Sequence, residues 1–175
     1  SDAQEANEIV LDLARSRSVK RVVKSKSMVS EEIELNQALI SGGLDVVESD
    51  LGEYIIQLAG ETPSHIIAPA VHKTREQIGQ LLADKLGVPM TDDPVEMTAT
   101  ARSALRDVFL QSEMGVSGVN FGVASTGSLA IVTNEGNASL TVTAPRIHVA
   151  MMGIERVVPT LDDLAVMLLV LARSA

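Results

Sequence analysis

At 175 residues and 46% hydrophobic content, the chain can bury a sizeable core, since a domain of this length removes roughly 70% of its unfolded surface from water. With two Phe, one Tyr, no Trp and a net charge of -9, it lacks the basic patches and stacking rings of nucleic-acid binding, and its acidity disfavours an anionic membrane surface. The absence of cysteine excludes disulfides, thiolate metal sites, iron–sulfur ligation and a Cys nucleophile within this chain, and fits a cytoplasmic location.

Residues 2–17, DAQEANEIVLDLARSR, place Ile9, Val10, Leu13 and Ala14 on one face of a helix. VKRVVKS (19–25) is a short β-rich run. Ser30, followed by Glu31 and Glu32, predicts a second helix to about Ile40, with acids in a first turn that suit the helix dipole and Gly42-Gly43 to end it. LDVVES (44–49) reads as the second strand, LGEYIIQLAG (51–60) as a short helix and SHIIAP (64–69) as the third strand. Two helices follow, KTREQIGQLLADKLG (73–87), stopped by Gly87 and Pro89, and PVEMTATARSALRDVFLQSE (94–113). The second half turns to strands at 117–125, 127–133, 139–144 and 147–153. A last helix occupies LDDLAVMLLVLARS (161–174). The longest apolar run, LAVMLLVLA (164–172), is about half a membrane span, so no membrane insertion is expected, and no signal peptide is visible.

Strands alternating with helices at this spacing predict an α/β fold with a mostly parallel, twisted sheet and helices on both faces. Short links across 117–144 predict an antiparallel hairpin addition. No repeat, linker or low-complexity segment divides residues 1–175, which read as a single domain. The final helix is apolar nearly all round, which predicts cover on both sides. With no Met at the start and nothing after Ala175, the expectation is a domain truncated at both ends, or one that hides this helix in a partner.

Charge is uneven. Arg15 to Lys26 holds six cations and no acid, whereas Ser27 to His72 holds eight acids and no Lys or Arg. A solvated helix end beside acidic surface accounts for this; lysines lining a site are the alternative. In open parallel sheets, ligands bind beyond the carboxyl ends of the strands. Lys24 and Lys26, at period-two spacing with Ser27 ahead of a helix, can clamp an anion there or serve only solubility. Asp50 suits a helix cap, which leaves Glu53 the freer carboxylate for acid–base work or a divalent cation. His72, beside Lys73 at the exit of the third strand, is placed to bind substrate, whereas His65 and His148 read as structural. No His-x-x-x-His or facial-triad spacing occurs, so no metal site is expected. Thr126 lies in STGS (125–128), either a backbone nest for an anion or a plain turn. NEGN (134–137) reads in two ways. Asn134 and Gly136 can supply the positive φ angles of a tight hairpin. Alternatively, the Asn134 and Asn137 amides and the Glu135 carboxylate form a ligand loop facing the lysine and His72 loops.

Taken together, VVKSKSMVSEEIELNQAL, VVESDLGEYIIQLAGETPSHIIAPAVHKTREQI, GVNFGVASTGSLAIVTNEGN and PRIHVAMMGIERVVPTLDDL resemble, in order, the LUD domain of the lactate-utilisation protein B family. The resemblance implies a three-layer α/β fold of the NagB/RpiA/CoA-transferase-like kind. It implies a longer protein with a cysteine-rich iron–sulfur region after this domain. That protein would work with other lactate-utilisation subunits, oxidising L-lactate to pyruvate and passing electrons to the respiratory chain. No cofactor is then expected in this chain, which alone should be inactive as an oxidoreductase; the iron–sulfur clusters would lie in the missing C-terminal region. Relatives read Glu-Thr-Gly where this chain has Ser125-Thr126-Gly127, which removes a family carboxylate.

Three functions follow. The first is a binding domain for a small anion, a 2-hydroxy or 2-oxo acid or a phosphate-bearing ligand. Lys24, Lys26, Ser27, Glu53, Lys73, Thr126, Asn134 and Asn137 would hold it, with His72 or Glu135 as base. The second is an acyl- or CoA-transferase-like enzyme, with Glu135 forming an acyl intermediate as CoA transferases of similar fold do. The third is a scaffold that docks partner subunits through 161–172. The first requires the KSKS, AVHK and TNEGN tips to meet around one pocket.

Overall fold

The computed structural model describes residues 2–61 and 69–174. His65 and nearly all of the expected third strand lie outside them; Pro69, its last residue, sits in a turn. Asp2 caps helix α1 (Ala3–Ser16) by accepting from Glu5 N at 2.9 Å. Strand β1 (Arg21–Lys24) lies inside the sheet, so Val22 and Val23, on opposite faces, are both fully buried. The helix expected from Ser30 to Ile40 starts earlier and breaks in two. Ser27 caps α2 (Met28–Glu32), accepting from Ser30 N at 3.3 Å, while the Ser30 hydroxyl donates back to the Ser27 carbonyl at 2.7 Å. Glu34 then takes a left-handed conformation (φ 54) and turns the chain into α3 (Leu35–Ser41). Strand β2 (Asp45–Glu48) leads to α4 (Leu51–Ala59), closed by Gly60 at φ 70. Helix α5 (Arg75–Leu86) opens on a Thr74–Gln77 capping box, and α6 (Pro94–Gln111) carries its proline in the first turn, where no amide hydrogen bond is lost.

The main sheet is parallel throughout, in the order β2-β1-β3-β6, with β3 at Met114–Gly118 and β6 at Ile147–Met151. Val22, Val46, Met114 and Val116 pack against Val10, Ala14, Leu35 and Leu39 of α1 and α3. On the opposite face Val23 packs against Tyr54 of α4 and Leu105 and Phe109 of α6. This is the expected three-layer α/β arrangement, with an aliphatic core on one side and most of the chain's aromatic rings on the other.

The expected strand 117–125 is two strands in two sheets. After Gly118 the chain leaves the main sheet, Val119 N donating to Met151 O and Asn120 N to Ala130 O, and resumes as β4 (Phe121–Val123). Beyond the turn at Gly127 (φ 69), β5 (Ser128–Ala130) pairs antiparallel with β4, which is the expected hairpin. From β6 the chain crosses likewise, through the single helical turn Ile154–Arg156, into β7 (Val157–Val158), parallel to β4.

The expected strand 139–144 is a helix, α7 (Gly136–Thr143). Its β-branched residues favour strands in isolation, but here Thr141 and Thr143 donate to the carbonyls four residues back, at 3.0 and 2.7 Å. Gly115 lets the helix sit against β3: a Cβ there would lie 1.9 Å from Thr141 O. The NEGN segment is therefore the entry to a helix, and Asn134 and Gly136 keep negative φ, which removes the tight-hairpin reading.

Helix α8 (Leu161–Ser174) packs Leu164 and Leu171 on Phe121, Val123 and Val158 of the small sheet. Cover on both sides was expected; the opposite face is exposed. No helix among the described residues is long and apolar enough to cross a membrane.

Candidate functional site

At the carboxyl ends of β1, β3 and β6, where the two sheets separate, lies an open cleft of about 440 Å³. One wall is the segment 25–29, which continues β1 through a Ser25 N–H bonded to Val116 O at 2.9 Å. The crossover 118–120 contributes next, and Ser27 packs on Gly118, where a Cβ would come within 3.2 Å of it. The other wall comprises residues 131–135 and the first turn of α7, with Met151 and Arg156 from the β6 exit. Asn120 ties the walls together by accepting from Val132 N at 2.8 Å.

Helix α7 is held at this edge by a polar chain. The Ser49 and Thr141 hydroxyls, both buried, meet at 3.1 Å, and the Asn137 amide reaches Ser49 Oγ at 3.5 Å. Thr133 Oγ1 donates to the Glu135 carbonyl and shapes the turn into the helix. Glu135 occupies the N-cap position, yet its side chain makes no capping bond. Glu135 is among the residues that line the cleft.

Among the described residues, Lys26 and Arg156 are the cations that line the cleft. Lys26 is partly exposed, and its Nζ lies 3.8 Å from the buried Glu53 carboxylate. Arg156 is exposed and touches its neighbour Glu155 at 3.3 Å. Asp50 also borders the cleft, with one carboxylate oxygen spent on the N–H groups of Gly52 (3.1 Å) and Glu53 (3.3 Å), the cap expected of it. Among the described residues, the charged ones lining the cleft are thus Lys26, Arg156, Glu135 and Asp50, the last already engaged as a cap.

The other sequence-derived residues are placed elsewhere. Lys24 is buried in an ion pair with Glu48 at 2.9 Å and so does not share a ligand with Lys26. Ser27 lines the cleft, but its hydroxyl caps α2. Glu53 is buried behind Lys26 and is no freer than Asp50. His72 and Lys73 both bind Glu61, at 2.7 and 2.6 Å, and neither lines the cleft. Their hydrogen bonds, that of Lys73 first, hold the Glu61 carboxyl below the usual carboxylate range. Thr126 bonds Ser128 within the β4–β5 turn, also away from the cleft. Of the three expected tips, KSKS and TNEGN meet; AVHK does not join them. His148 is structural, its Nε2 2.8 Å from the buried Ser117 hydroxyl, and burial pushes its imidazole down from the ordinary value. Among the described residues no group of carboxylates and histidines could hold a metal ion.

Sequence reasoning missed Arg156 and Asn120. Applied to the β6 exit, the strand-end rule points at Arg156, a cation five residues beyond the last strand residue. Asn120 was hidden because 117–125 read as one continuous strand.

The LUD domain family matches the chain over residues 1–175. The chain is 53% identical over 173 residues to a Bacillus pumilus protein named lactate utilization protein B, covering 98% of this chain and 37% of that relative. Proteins of the same name from Bacillus thuringiensis and Bacillus cereus are 53% identical over 172 residues, with 98% of this chain and 36% of each relative covered. The chain thus spans little more than a third of the length of these relatives. No solved structure matches it significantly.

Proposed function

Since the chain belongs to the LUD domain family, we propose that it is the ligand-binding domain of a lactate-utilisation protein, and that its cleft holds a small 2-hydroxy or 2-oxo acid. The observation that carries this reading is that Lys26 and Arg156 line a single cleft together with Ser25, Asn134 and Asn137. Lys26 and Arg156 would hold the carboxylate by charge-assisted hydrogen bonds. The first turn of α7, which no side chain caps, adds N–H donors on the same wall. The asparagine amides would then bond the oxygen on C2. If the acid is oxidised while bound, Glu135 is the base for its hydroxyl proton, because Glu135 lines the cleft and His72 does not.

The two electrons leaving C2 need an acceptor. A cysteine-free chain offers no thiolate to an iron–sulfur cluster, so a cluster serving this domain would be held by other polypeptide of a lactate-oxidising complex. At about 440 Å³ the cleft is in the range that takes ligands much larger than a three-carbon acid, which leaves space for the reactive end of such an acceptor.

The test is calorimetric titration of the chain with L-lactate, pyruvate and inorganic phosphate. Saturable heat with a carboxylate, weakened about tenfold or more by Lys26→Ala and by Arg156→Ala, supports the reading. No heat with any of the three overturns it.

The uncapped Glu135 carboxylate favours a second reading, acyl transfer. Its oxygen would attack the thioester carbonyl of an acyl-CoA, forming a glutamyl anhydride and releasing the CoA thiolate. Intact mass after incubation with an acyl-CoA would show the acyl increment on the wild type and not on Glu135→Gln. An unchanged wild-type mass removes this reading.

A further inference from the structure

We propose that the outward face of α8 is a self-association seam that joins two copies of this chain with their α8 helices antiparallel. Leu164 and Leu171, seven residues apart, are the side chains of α8 that pack on the small sheet. At 3.6 residues per turn the opposite stripe is therefore Asp162, Val166, Leu169 and Arg173, at the i, i+4, i+7, i+11 spacing of a helix-pairing face. Val166 and Leu169 are 59% and 70% exposed, with Val170 beside them at 54%. A contiguous apolar stripe open to water on a charged chain marks a contact surface.

The order of charges along the stripe selects the partner and its direction. An acid stands at the start, a cation at the end, and two aliphatic residues between, so the stripe is complementary to its own reverse. A two-fold axis midway between Val166 and Leu169 sets Asp162 of one copy against Arg173 of the other, and Val166 against Leu169, at both ends alike. Parallel pairing would instead stack Asp162 on Asp162 and Arg173 on Arg173. Asp163, the neighbouring acid, is engaged in the helix cap, accepting from Thr160 N and Oγ1 at 3.0 and 2.7 Å, and takes no part. Antiparallel helices also set their dipoles favourably. From Asp162 to Arg173 the helix rises about 16 Å, so the seam is small beside a standard interface of about 800 Å² per partner. The dimer is accordingly concentration-dependent, with the isologous symmetry of a two-fold contact.

Sedimentation velocity of the 175-residue chain between about 1 and 200 µM tests this. The weight-average mass should rise from 18.5 kDa toward twice that value. Asp162→Arg and Arg173→Asp should each abolish the rise, and the two together should restore it. Leu169→Lys, at a side chain that is 70% exposed, should be monomeric with an unchanged circular-dichroism melt. A wild type that stays monomeric at the highest concentration overturns the proposal and leaves the face to some other polypeptide. A dimer that survives both single reversals, or a double reversal that stays monomeric, overturns it equally.

Discussion

Lys24 and Glu48 are register partners on adjacent parallel strands, and their side chains meet at 2.9 Å with almost no exposure of either. The Asn36 amide donates to the same Glu48 oxygen at 2.6 Å, which ties α3 to the carboxyl end of the sheet. Burial makes the pair mutually dependent: removing one member leaves the other charge uncompensated in a low-dielectric site, at a cost of about 3–5 kcal/mol. Lys24→Met should therefore lower the unfolding free energy in urea by that amount. Combined Lys24→Met and Glu48→Gln should be less destabilised than the sum of the single changes by at least about 1 kcal/mol. Additive losses would show that the pair contributes no coupling.

Lys26, two residues on, should behave in the opposite way. It is partly exposed and lies 3.8 Å from the buried Glu53 carboxylate, a longer and better-hydrated pair, so Lys26→Met should cost less stability than Lys24→Met. Its loss should instead appear in ligand affinity, by about tenfold or more for L-lactate. His72→Ala, which among the described residues releases an exposed contact to Glu61, should change that affinity less than about twofold. Equal effects of the two substitutions on binding would return His72 to the site.

What the sequence made legible follows from how local each feature is. The Asp50 cap and the Gly87 stop depend on residues a few positions apart, and both are where the pattern put them; the parallel sheet follows from strands alternating with helices. Helix α7 was misread because what holds it is distant: Gly115 in β3 admits its backbone, and Ser49 after β2 bonds Thr141. Lys24 looked like a twin of Lys26 until the register placed Glu48 beside it. His72 and Lys73 were drawn off by Glu61, an acid in the loop after α4 to which the sequence pattern gives no role.

The close approach at Gly115 gives a sharper test of how α7 shapes the cleft. A methyl group there would sit 1.9 Å from a backbone oxygen, which cannot be relieved by a side-chain rotation. Gly115→Ala should displace α7, cost at least about 1–3 kcal/mol by urea titration, and weaken lactate binding by moving Asn134, Glu135 and Asn137. Gly136→Ala is the control. A Cβ at Gly136 meets nothing within 4 Å and its φ is negative, so the change should be neutral or stabilising by up to about 1 kcal/mol. A stable Gly115→Ala protein with normal binding would mean that α7 does not set the cleft.

Glu113 makes the stability of the fold depend on pH. Its carboxylate accepts from the backbone N–H of Arg21 at 2.9 Å and of Lys20 at 3.1 Å, joining the end of α6 to the start of β1. Those bonds, that from Arg21 first, hold its carboxyl below the ordinary glutamate range in the folded protein. A folded-state pKa lower than the unfolded one means that the unfolded chain binds the proton more readily. The contribution is thus complete above the ordinary glutamate value and is lost as pH falls through the depressed one. Glu113→Gln should reduce the unfolding free energy at neutral pH by up to about 1 kcal/mol, because the neutral amide accepts those bonds more weakly and water screens the partly exposed carboxylate. It should also flatten the decline across the acid window. Urea titrations from neutral pH downward read both effects, and parallel acid limbs for wild type and variant would show that Glu113 is not a source of the slope.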